Sequence, residues 1–154
     1  MKVKLFFSSL IILAGLAVTQ NTYAHCEIPC GIYGDSLRFK EVYEHITTIE
    51  KSMREIDRLS KEDEINYNQL VRWVNNKDDH ANKLQDIVEQ YFLHQRIKIK
   101  DPSDNDAYQK YTAQLVLLHK MQVYAMKAKQ TTDLGYIKQL NDTWHTFEHS
   151  YFED

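Results

Sequence analysis

From residue 36 onward the apolar positions recur with a helical period. Val42, Ile46, Ile49, Met53 and Ile56 follow at spacings of four and three, which places them on one stripe of a helix. Asp35 and Ser36 offer an N-cap just before them, so a first helix is expected over about 36–59. Ser60 with Asp63 resembles a capping box with the shorter acid. A second stripe follows as Leu70, Val74, Ala81, Leu84, Val88 and Tyr91, its register interrupted near Lys77 and Asp78. Residues 94–105 contain Pro102 and a Ser-Asp-Asn cluster and read as a loop longer than the usual helix connection. A third helix is expected from near Asp104 to about Ala128, carrying Tyr108, Tyr111, Leu115 and Leu118. The fourth, capped by Thr132 or Asp133, carries Ile137, Leu140, Trp144, Phe147 and Tyr151, despite a helix-weakening Gly135 in its first turn. Four amphipathic helices, three of them joined by short turns, predict an all-α fold, an antiparallel up-down four-helix bundle.

Composition agrees with that pattern. The 154 residues are 43% apolar, enough for one core and too few for two ordinary domains, and four Gly and two Pro supply few turns for a sheet. Residues 1–24 stand apart: Lys2 and Lys4 precede an apolar run from Leu5 to Val18, and a polar stretch closes on Thr22 and Ala24, small residues where signal peptidase cuts. The expectation is a signal peptide over 1–24, cleaved by signal peptidase, and a single domain over 25–154 delivered to the periplasm or the cell exterior. The run is shorter than the roughly 20 residues a membrane span needs, so no membrane anchor is expected in the mature form. Loss of Lys2 and Lys4 takes the formal charge from −3 to −5, since no acid precedes His25. Nucleic acid is not an expected partner, because no basic cluster carries interleaved aromatics; Arg96, Lys98 and Lys100 alternate in a loop and read as solvated.

The two cysteines, Cys26 and Cys30, lie within six residues of the expected cleavage point. In an exported protein the default is a disulfide, but one closing so small a loop at a chain end constrains little of the unfolded chain. Cleavage after Ala24 would give His25 a primary amine. That amine, the Cys26 amide nitrogen and the two thiolates can reach one metal, with Pro29 and Gly31 turning the chain. Two nitrogens and two sulfurs in a plane suit nickel(II) or copper(II) and not tetrahedral zinc.

The run His25-Cys26-x-x-Pro29-Cys30-Gly31-x-Tyr33 resembles the nickel hook of the nickel-containing superoxide dismutases. More loosely, Glu41, the stretch from Asn68 to Trp73, and Lys77 resemble that family's first two helices. The resemblance implies disproportionation of superoxide to dioxygen and hydrogen peroxide by nickel cycling between Ni2+ and Ni3+, in a homohexamer of bundles with hooks near the neighbouring subunits. It implies equatorial ligation by the His25 amine, the Cys26 amide nitrogen and the Cys26 and Cys30 thiolates, with the His25 imidazole axial in the oxidised form. Tyr33 would stand over the open face and organise water for proton delivery, Glu41 and Arg72 would orient the His25 ring, and Pro29 would shape the turn. Glu27 stands where the family often has Asp, which bears on hydrogen bonding at the entrance and not on the ligands.

The rival reading is an exported nickel or copper binding protein without turnover, for which Tyr33 and the Pro29-Cys30-Gly31 turn are unnecessary. Two other metal patterns weaken on inspection. His145, Glu148 and His149 match H-x-x-E-H, but Phe147 between them belongs to the apolar stripe and only five residues follow. No Glu is followed three residues later by His, which removes a di-iron bundle centre.

Overall fold

The computed structural model describes residues 34–153. Helix α1 (Asp35–Leu59) is followed by α2 (Tyr67–Asp86), which runs on without a break into a π-helical segment (Ile87–Arg96); α3 (Asn105–Gln130) and α4 (Gly135–Phe152) complete the chain. The described residues contain no strand. Each helix packs on its sequence neighbour, and α4 returns against α1, so the four close a bundle with α1–α2, α2–α3, α3–α4 and α4–α1 faces.

The core is the meeting of the four stripes. Val42, Ile46, Ile49 and Met53 from α1, Ala81, Leu84 and Val88 from the second helix, Leu118, Met121, Ala125 and Ala128 from α3, and Leu140 and Phe147 from α4 are all fully buried. At one end the core turns aromatic: Phe39 meets Phe92 at 5.0 Å and Trp144 at 4.7 Å, and the Trp144 indole donates to the Phe39 carbonyl at 3.2 Å. Offset and edge-on pairs of this kind add to the area they bury.

Several boundaries differ from the pattern, each for a local reason. Helix α1 starts at Asp35 from a Gly34 N-cap position with no side-chain cap, because the Asp35 carboxylate is engaged elsewhere. Ser60 and Asp63 form no capping box: Ser60 ends α1, donating its hydroxyl to the Asp57 carbonyl, and Asn66 caps α2 by accepting from the Gln69 amide at 3.1 Å. The second helix continues to Arg96, so the long loop begins only at Ile97. Helix α3 begins next to Asp104 as expected, and Asp104 caps it, accepting from the Ala107 amide. Before α4, Asp133 accepts from the Gly135 amide at 2.8 Å; a Cβ at Gly135 would stand 3.0 Å from that carboxylate oxygen, so the glycine leaves room for it.

The interruption at Lys77 has a tertiary cause. The Lys77 side chain is buried, and its ammonium donates to the carbonyls of Ala128 at 3.0 Å and Lys129 at 2.5 Å, at the last turn of α3. A cation there satisfies carbonyls that have no partner within their own helix and complements the negative end of its dipole. It also marks where α3 stops. The first turns of α2 lie beyond that level, which is why Val74 and Val71 remain 36% and 55% exposed although the spacing put Val74 on the core stripe. On α3, Tyr108, Tyr111 and Leu115 are only half-buried, and the core line runs instead through Gln114, Leu118 and Met121. Gln114 is kept inside by donating to the Ser150 carbonyl of α4 at 3.1 Å.

Candidate functional site

The hook, with His25, Cys26, Glu27, Pro29, Cys30 and Tyr33, lies outside the described residues, as does the cleavage point at Ala24. The described residues begin at one end of the bundle, around Asp35. Asp35, two residues after Tyr33, accepts from the Tyr91 hydroxyl at 2.6 Å and from the Tyr151 hydroxyl at 2.9 Å, and the Arg96 guanidinium lies 2.8 Å away. Arg96 also donates to the Tyr91 hydroxyl at 2.8 Å. Three side chains from two elements, the π-helical segment and α4, thus converge on the first residue of α1.

The π-helical run makes that convergence possible. Five residues exceed one turn of an α-helix, so Tyr91 and Arg96 would diverge around the axis in α-geometry. Hydrogen bonds spanning five residues, such as Ile97 N–H to the Phe92 carbonyl at 2.9 Å, bring such positions to one face. Sequence spacing carried no sign of this, since the run from Ile87 keeps an ordinary apolar stripe.

Burial pushes the Asp35 carboxyl up, but hydrogen bonds from Tyr91 and Tyr151 and the Arg96 charge outweigh it, and the group sits below the usual carboxylate range. The two phenols move the other way: burial, then the hydrogen bond to Asp35, raises both. The carboxylate is therefore held ionised and the phenols protonated.

Glu41 stands on the same end of α1. It pairs with Arg38, whose guanidinium lies 5.4 Å from the centre of the Tyr91 ring. Arg72 is exposed on the first part of α2, beside Gln69, Trp73 and Asn76 around a shallow pocket. The antiparallel register of α1 and α2 is set by His45 against His80 and by Ser52 against Asn76, whose amide donates to the Ser52 hydroxyl at 2.9 Å. In that register Glu41 and Arg72 are about three helical turns apart, at 1.5 Å per residue. One chain does not bring them together.

The pairing His45 Nδ1 to His80 Nδ1 at 3.0 Å was not anticipated, because only the α1–α2 register makes neighbours of residues so far apart in sequence. His145 and His149 serve no common centre; each pairs with its own carboxylate, Glu148 at 3.7 Å and Glu153 at 2.8 Å. Among the described residues no group of three or more His, Cys, Asp or Glu is gathered as a metal site. Nor is any helix there long and apolar enough to cross a membrane. Both cysteines of the chain, Cys26 and Cys30, precede the bundle, and thiolate is a donor that suits nickel.

Fold and sequence together define a helical bundle with both cysteines of the chain on its amino-terminal extension. No curated protein and no solved structure matches the chain. The profile of the nickel-containing superoxide dismutase family matches residues 20–154, and the chain belongs to that family. It is a nickel-dependent oxidoreductase that disproportionates superoxide, and the reading as a metal binder without turnover falls away.

Proposed function

We propose that the His25 amine and imidazole, the Cys26 amide nitrogen and the thiolates of Cys26 and Cys30 would hold the nickel. The observation that supports this is the extent of the family match, which takes in the whole run from His25 to Tyr33, including both cysteines of the chain. When bound, nickel supplies one-electron exchange with superoxide, and thiolate and amidate donors are what bring its higher oxidation state within reach. Two superoxide ions and two protons yield one dioxygen and one hydrogen peroxide, so the chain must admit a small anion and deliver protons. Tyr33 gates the open face and orders the water that carries them. Glu27 lines the entrance and Pro29 sets the turn. The Asp35 cluster, fixed to three elements, holds the base of the hook against the bundle.

Glu41 and Arg72 orient the His25 ring from different subunits of a homohexamer. Their separation of about three turns within one chain supports this division. So does an exposed apolar row on the overhanging part of α2, where Tyr67, Val71 and Val74 recur at one helical face, the kind of surface that self-association covers. Export rests on the basic start, apolar run and small-residue close of residues 1–24, and signal peptidase then does more than release the chain. Cleavage converts the nitrogen of His25 from an amide into an amine, a donor that gives up its proton near a pKa of roughly 8.

The experiment compares the chain starting at His25 with one extended by a single Ala. Both should show the same helical circular dichroism, and only the trimmed form should take up one equivalent of nickel with thiolate charge-transfer absorption and consume superoxide. Equal nickel binding and turnover in the extended form would falsify the amine-ligand assignment.

A further inference from the structure

His45 on α1 and His80 on α2 face each other with their Nδ1 atoms 3.0 Å apart, ring centres 5.0 Å apart and planes inclined at 72°. Metal–imidazole bonds of about 2.0–2.1 Å, meeting at square or tetrahedral angles, separate their two nitrogens by about 2.9–3.4 Å. The pair already has that separation across two rigid helices. We propose that His45 and His80 form a second metal site, a two-histidine chelate for a borderline divalent ion of the zinc(II), nickel(II) and copper(II) class, independent of the amino-terminal hook.

In the metal-free pair one ring donates its Nδ1 proton and the other accepts it, so both are neutral. Binding requires only that the donor ring move its proton from Nδ1 to Nε2, leaving two Nδ1 lone pairs for the ion and no net proton released. Both rings are held below the ordinary imidazole range, His45 by burial and then the His80 charge, His80 by burial and then Lys83, so neither needs deprotonation near neutral pH. Around them Glu44 from α1 and Asp79 from α2, with Glu41 in its pair with Arg38, favour a cation, opposed by the Lys83 ammonium. Both histidines are half-buried, which leaves access for the ion and for the waters that complete its shell. Among the described residues no third protein donor is gathered there, so water would complete the shell. Affinity rises from nickel to copper in the usual order for such donors.

Zinc(II) is the probe, being redox-inert and well suited to imidazole. Calorimetric titration of the nickel-loaded mature protein should reveal one zinc equivalent beyond the nickel, with zinc raising the melting temperature. His45→Gln and His80→Gln should each weaken that equivalent at least ten-fold and abolish the thermal gain. The Cys26→Ser/Cys30→Ser chain should keep it, which separates this site from the hook: a failed hook assignment leaves the zinc result standing. Should either Gln variant not fold, imidazole nitrogen resonances of the unsubstituted protein decide, since coordination must shift the His45 and His80 signals alone. Absence of an extra equivalent, unchanged affinity in both variants, or unmoved His45 and His80 signals each overturns the site.

Discussion

Tyr151, near the end of α4, donates its hydroxyl to Asp35 Oδ2 at 2.9 Å, so the last helix of the bundle grips the first residue of the first. Hydrogen bonds to a charged group contribute about 1.5–3 kcal/mol, and this carboxylate is partly exposed, so Tyr151→Phe should cost about 1.5 kcal/mol. Thermal melting at pH 7 should show a loss of several degrees.

The same carboxylate gives a pH dependence of known sign. Its folded pKa lies below the ordinary value of 3.8, so its stabilisation is complete above that value and is lost as pH falls through the folded pKa. Asp35→Asn should therefore melt below the unsubstituted protein at pH 6, and the gap should close as both are titrated below pH 4. A gap that stays constant down to pH 2 contradicts the assigned role of the ionised group.

Lys77 is the buried cation at the end of α3. Lys77→Ala removes the donor from the Ala128 and Lys129 carbonyls and opens space beneath them, and the expected loss is about 2–4 kcal/mol. Denaturant unfolding followed by circular dichroism measures it. An exposed lysine such as Lys138 replaced in the same way should change stability by less than about 0.5 kcal/mol.

On the proposed ligand set, every donor precedes the helices whose stripes form the core. Cys30→Ser should lose stoichiometric nickel and superoxide consumption while keeping the helical spectrum and melting temperature. Metal analysis beside circular dichroism reads both halves of that statement.

His25→Ala separates the two donors of one residue. With the proposed amine and both thiolates kept, nickel(II) binding should persist, while loss of the imidazole donor should lower turnover by at least an order of magnitude. Undiminished turnover contradicts a role for the imidazole.

Helix number and the core stripes of α1 and α4 were legible in the sequence because burial on one side of a helix imposes a period of about 3.6 on the chain itself. The motif that carries the family resemblance is equally local, a run of nine residues from His25 to Tyr33. Cap assignments were less legible, since Asp35 as a cap and Asp35 as an acceptor for two distant tyrosines look alike until Tyr91 and Tyr151 are placed.

What the sequence determined by itself is therefore short-range: four amphipathic helices and the family they belong to. The tertiary structure decided what depends on the register between helices. It put Lys77 under the end of α3, set His45 against His80 and held Glu41 three turns from Arg72, and through a π-helical run it turned Tyr91 and Arg96 onto one carboxylate. The physical reason is that side-chain period is written within a helix, whereas the sliding of one helix along another is settled only when whole faces pack and every buried polar group finds its partner.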